Sequence, residues 1–109
     1  MGSIFITNDK DGKKYELAYN RSSLVRMEKE GFNIEKIEAE PLFQITLLIR
    51  GSFYKNNPSL SADEIDAICD EIGGMDGFVK ELLGMYENCL KVFSGQDKQD
   101  TKNFKWEKN

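Results

Sequence analysis

The stretch "PLFQITLLIRGSFYKN", which begins at Pro41, limits the fold more than any other part of the chain. Pro41 suits the first position of a helix, where its missing N–H costs nothing. Wound as a helix, the segment is apolar on nearly every side, interrupted only by Gln44, Thr46, Arg50 and Ser52. A helix of that kind belongs in the middle of something. Its length of about 14 residues falls short of the ~20 needed to span a bilayer. The expectation is therefore a central core helix, or one partly covered by a second subunit. Arg50 falls on the side of Phe43, Leu47 and Tyr54. There its guanidinium reaches solvent or a carboxylate along a buried stem, the alternative being a residue that recognises a partner.

The remaining elements are arranged around that helix. "SIFITNDKDGKKYELAYN" reads as a β-hairpin over 3–19. Ile4, Phe5 and Ile6 precede a turn-rich stretch, and Tyr15, Leu17 and Tyr19 alternate after it. Asn8, Asp9, Asp11 and Gly12 supply the turn chemistry. A calcium loop would need an oxygen ligand where Lys13 stands and Glu where Asn20 stands. Asn20 is placed to cap a helix through "RSSLVRMEKEG", with Leu24 and Met27 inward and Gly31 as its stop. "FNIEKIE" gives one further turn anchored by Phe32, Ile34 and Ile37. After a Pro58 turn, Ser61 and Glu64 form a capping box for a helix whose apolar stripe is Ile65, Ile68, Cys69 and Ile72. Asp63, Asp66, Ala67 and Asp70 lie opposite. Asp76 can cap the last helix, whose inward arc is Phe78, Leu82, Met85, Tyr86, Cys89 and Phe93, with Gly95 ending it. The fold class expected is α+β and predominantly α-helical. A hairpin is followed by about four helices in a single domain over 1–93, and 94–109 form a polar tether with a strand-like end.

With 109 residues, 39% hydrophobic and 31% charged, the chain can bury one modest core without covalent staples. Its net charge of −4 argues against gripping phosphate backbones, so no nucleic-acid partner is expected. Residues 1–50 carry eight acids and eight bases, which leaves the whole imbalance beyond Gly51. Asp63, Glu64, Asp66, Asp70, Glu71 and Asp76 occur with no base among them. They read as a solvated helix face or as a docking surface for a basic partner. Cys69 and Cys89 sit in helical apolar patterns and read as buried free thiols of a reducing compartment. No signal peptide is read at the start, and "MGSIFIT" has Ile6 where a myristoylation site wants Ser or Thr.

The sequence contains no histidine. That removes the commonest general base and the Ser-His and Cys-His nucleophile pairs. Two cysteines twenty positions apart do not match zinc spacings, and "GGMDG" lacks the Lys-Ser/Thr of a phosphate loop. No catalytic residue, metal or cofactor is expected.

The last sixteen residues, "SGQDKQDTKNFKWEKN", hold no large apolar side chain until Phe104 and Trp106, the only tryptophan. Their i, i+2 spacing, with Lys105 and Glu107 interleaved, is that of a half-buried strand. Such a segment can add beside the hairpin of its own chain, or pair with a neighbouring subunit or client by strand addition. Phe104, Trp106, Arg50, Asp63, Asp66 and Asp70 are the candidate partner-binding residues.

The order of "DKDGKKYELAYNR", "MEKEGFNIEKIE", "PLFQITLLIRGSFYKNNPSLS", "DEIDAICDEIGG" and the closing "NFKWE" resembles small tail-assembly chaperone-like proteins of long-tailed phages and prophages of Gram-positive bacteria. The resemblance implies a non-catalytic protein of the host cytoplasm, absent from the mature virion. It would hold the tape measure protein while tail tube subunits polymerise around it. It also implies self-association, and a short form, like this chain, beside a frameshifted longer one. A second expectation, from small size and the acidic helix, is a phage accessory protein that inhibits a host or defence protein.

Overall fold

The structure, a computed structural model, describes residues 3–72 and 76–94. It opens with an antiparallel hairpin of β1 (Ile4–Thr7) and β2 (Lys14–Leu17). Four helices follow: α1 (Arg21–Lys29), α2 (Pro41–Tyr54), α3 (Ala62–Ile72) and α4 (Asp76–Ser94). A 3₁₀ turn at Ile34–Lys36 stands between α1 and α2. The fold is α+β and mainly helical, as the patterning predicts. Phe104 and Trp106, and with them the strand-like ending, lie outside the described residues.

Local chemistry sets the element ends. Asn20 Oδ1 accepts from the Ser23 N–H while Ser23 Oγ accepts from the Asn20 N–H, each at 2.8 Å, a reciprocal cap for α1. The helix stops at Gly31, whose φ of 108° is costly for any residue with a Cβ. Pro41 opens α2, and Ser61 and Glu64 cap α3 reciprocally at 3.1 and 2.8 Å.

In the hairpin Ile4 pairs with Leu17 and Ile6 with Tyr15, which puts these four on one face. That face enters the core, with Ile6 and Leu17 buried, while Phe5 stays outside under the Lys14 ammonium, 4.8 Å from its ring centre. Asn8 is buried in the turn. Its backbone N–H donates to the Lys13 carbonyl at 2.8 Å, and its Nδ2 donates to Glu71 of α3 at 2.7 Å.

α2 is the central element, packed against β2, α1, the 3₁₀ turn, α3 and α4. Leu47, Leu48, Phe53 and Tyr54 are buried on it, among Leu17, Met27, Ile65 and Leu82 from the other elements. Gly51 marks its closest approach to α1: a Cβ there would overlap Sδ and Cγ of the buried Met27. The chain leaving β2 hydrogen-bonds to the helix itself. The Ala18 N–H donates to the Ser52 carbonyl at 2.9 Å, and the Tyr19 hydroxyl donates to the Leu48 carbonyl at 2.7 Å. Burial, with the nearby Tyr86 hydroxyl adding to it, raises the Tyr19 phenol well above its ordinary pKa, so it remains a donor.

α2 takes the central place expected of it, but its first turn is open: Leu42 is 86% exposed and Phe43 about half exposed. The neighbouring elements pack along the middle and C-terminal end of the helix and leave that turn uncovered. α4 departs from expectation at its other end. Leu82 and Cys89 are buried as anticipated, but Phe93 is half exposed, because α4 runs past the elements that cover it. Among the described residues, no helix is long and apolar enough to cross a membrane.

Candidate protein-interaction surface

The sequence-derived site residues separate into three groups. Arg50 and Asp66 meet each other: Arg50 Nε donates to Asp66 Oδ1 at 3.0 Å and a terminal guanidinium nitrogen donates to Oδ2 at 2.6 Å. This two-pronged pair joins α2 to α3 at the edge of the core. The Asp66 hydrogen bond raises the Arg50 pKa further, keeping the guanidinium charged. Both side chains remain partly in water, at 26% and 41% exposure, so the pair contributes about 1 kcal/mol or less. Asp66 therefore corrects the reading of a purely wet face. It is half-buried and ties two helices together, and Arg50 takes the carboxylate alternative that its sequence position allowed.

Asp63 and Asp70 form the second group and are exposed on α3, as the pattern predicts. Glu64 and Glu71, their acidic neighbours, are engaged by Ser61 and Asn8. The run of acids is thus partly structural and only partly free surface. The third group, Phe104 and Trp106, is outside the described residues.

Sequence reasoning missed a polar cluster on the α1–α2 side. The Tyr54 hydroxyl donates to Glu30 at 2.6 Å, Arg26 Nε lies 3.3 Å from the same carboxylate, and the Arg26 guanidinium covers the Tyr54 ring at 3.7 Å. Burial, then the hydrogen bond to Glu30, pushes the Tyr54 pKa up to about 12. An acid whose folded pKa exceeds its unfolded value favours the fold fully below the unfolded pKa near 10, and that contribution is lost as pH rises toward 12. Stability should therefore fall across pH 10–12, and Tyr54→Phe should flatten that fall. At neutral pH the same variant should lose about 1.5–3 kcal/mol, the range for a hydrogen bond to a charged group. Urea unfolding of both proteins at several pH values measures each effect.

The more suggestive surface lies between α1 and α4. There a groove of about 360 Å³ has an aromatic floor of Phe32 and Tyr86, edge to face with ring centres 5.0 Å apart. Its walls are Leu24 and the exposed side chains of Val25, Leu90 and Phe93, and Arg21 and Glu28 stand among the lining residues. One signal for it was present in the sequence. α4 carries two adjacent apolar stripes, Phe78-Leu82-Met85-Cys89 and Val79-Leu83-Tyr86-Leu90, more than a single layer of neighbours covers. Single exposed apolar residues are ordinary; here three, Val25, Leu90 and Phe93, stand together around one concave face.

Burial first, then Asp66 and Asp70, pushes the Cys69 thiol up to about 11, and burial also raises Cys89. Both cysteines are free and stay protonated at neutral pH, the form that does not attack or ligate. Among the described residues, no three His, Cys, Asp or Glu side chains are grouped to hold a metal ion.

Fold and surface together define a small helical protein with an N-terminal hairpin and an open groove of mixed lining, aromatic and apolar side chains beside Arg21 and Glu28. The chain belongs to the family of the domain of unknown function DUF5055, whose model matches residues 1–109. No curated protein and no solved structure matches it.

Proposed function

We propose that this chain is a non-catalytic tail-assembly chaperone of a long-tailed phage or prophage. In the host cytoplasm it would bind the tape measure protein and keep its apolar segments covered until tail tube subunits enclose them. The observation that carries this reading is the aromatic-floored groove between α1 and α4, with Val25, Leu90 and Phe93 exposed around it. An amphipathic client helix laid into such a groove buries its apolar face there. The order of segments along the chain supports the phage assignment, and the absence of histidine with the protonated thiols supports a binding role. Self-association and contact with the tail tube protein belong to the same reading.

Co-expression with the tape measure protein encoded nearby tests it. That protein should stay soluble with this chain present and aggregate without it. Equal insolubility in both cases would sink the proposal.

The exposed Asp63 and Asp70 on α3 favour a second reading, a small inhibitor that docks a basic face of a host or defence protein. Stoichiometry separates the two. An inhibitor forms a complex of fixed composition with one protein, whereas a chaperone coats a long client in many copies.

A further inference from the structure

We infer that the α1–α4 groove is the docking site for the aromatic end of the same chain, with Trp106 and Phe104 as its occupants. α4 delivers the chain to the groove: Leu90 and Phe93, in its last turns, are themselves groove walls. The polar run Ser94–Asn103 then separates Phe93 from Phe104. A flexible segment of about ten residues spans roughly 15–20 Å. From Phe93 back to Tyr86 is seven helical residues, about 10 Å along the axis. The tether therefore reaches the floor without being stretched.

The chemistry of the two surfaces agrees. Phe32, Tyr86 and Phe93 offer aromatic faces and edges, which an indole fills with both area and ring geometry. Among the lining residues Arg21 and Glu28 supply one charge of each sign, and Lys105 and Glu107 on either side of Trp106 supply the opposite of each. Docking in the same chain prevails over docking in a second copy because a tether this short holds its end at millimolar effective concentration. This site replaces the hairpin edge as the intramolecular partner of "NFKWE". The groove's uncovered Leu90 and Phe93 stand in the last turns of α4, where the tether begins, whereas the hairpin exposes Phe5 alone among its described large apolar side chains.

Trp106 is the only tryptophan, so its emission reports its environment directly. In the full chain the emission should be blue-shifted and several-fold protected from acrylamide, and both should be independent of protein concentration. Val25→Asp and Leu90→Asp alter exposed side chains and should leave far-UV dichroism unchanged while returning the emission to that of indole in water. Three results would overturn the inference. One is water-like emission in the unaltered chain. Another is a blue shift that fades on dilution, which assigns the groove to a second copy's tail. The third is a blue shift that survives both substitutions, which places the tail elsewhere. If either variant loses helicity, proton NMR of the unaltered chain decides. Contacts between the indole and the Val25 and Leu90 methyls are expected, and their absence refutes the docking. No client is involved in these measurements, so they are decided separately from the chaperone proposal, in which a client helix displaces the tail from the same groove.

Discussion

Phe53→Ala should lower the free energy of unfolding by about 3–5 kcal/mol, the range for removing a large buried aromatic. Phe53 has no exposed surface and stands near the C-terminal end of α2, where the central helix meets the hairpin. Its ring lies 6.0 Å from that of Tyr15 and tilted by 55°, so truncation removes both area and a favourable ring contact. The cavity cannot collapse easily, because the Ala18 N–H holds the adjacent Ser52 carbonyl at 2.9 Å and fixes the strand against the helix. Urea unfolding followed by far-UV dichroism gives the number. A loss below about 1 kcal/mol would be that of an ordinary surface substitution and would mean that the hairpin is not docked on α2 as described.

Gln44→Ala should cost about 2–4 kcal/mol, through an unpaired backbone donor and lost side-chain volume. Gln44 is 1% exposed on a helix otherwise lined with Leu and Ile. Its Oε1 accepts from the Asn33 N–H at 2.8 Å, and its Nε2 donates to Glu40 at 3.1 Å and to the Gly31 carbonyl at 3.4 Å. The side chain thereby fastens the α1-to-3₁₀ connection onto α2, in the stretch where Gly31 reverses the chain. Gln44→Met keeps most of the volume and should recover only the packing part of the loss. If Gln44→Met matched the unaltered protein in urea unfolding, the hydrogen bonds would be shown to carry no net stability. The same buried amide accounts for an interruption that, in the apolar pattern alone, has no evident purpose.

The two substitutions sit on different kinds of information. Phe53 is legible as core from its place in a helix that is apolar on nearly every side. Gln44 is not, because its partners lie up to 13 positions away and become neighbours only when α1, the 3₁₀ turn and α2 fold together. The acids of α3 show the same division. Glu64 was readable as a cap because its partner Ser61 is three residues off. Glu71 and Asp66 were not readable, since Asn8 is 63 positions distant and Arg50 is 16. Helix periodicity placed Asp66 on the face away from Ile65 and Ile68. It could not show that α2 would bring a guanidinium to that edge.

The groove was half legible. Two apolar stripes on α4 are visible in the sequence, but which one is covered depends on where α1 and α2 come to rest. Leu82 and Cys89 are buried in the core around α2, Tyr86 is partly covered beside Phe32, and Leu90 and Phe93 are left at the surface. Val25 is exposed for the corresponding reason, since Met27 turns inward where Gly51 lets α1 approach α2 closely.

By itself, then, the sequence determined the elements, the two ends of α1 and the starts of α2 and α3. Caps, turns and helix stops act within about four residues, and the apolar period states which faces must leave water. It also determined that α2 would be central, since a helix apolar on nearly every side has no other stable place. Only the tertiary structure decided which polar side chains would be spent on holding elements together and which apolar ones would remain open. Both depend on long-range neighbours, and close packing around one central helix admits only a few. The chain has more apolar helix surface than that packing covers, and the excess lies in the groove between α1 and α4 and in the first turn of α2.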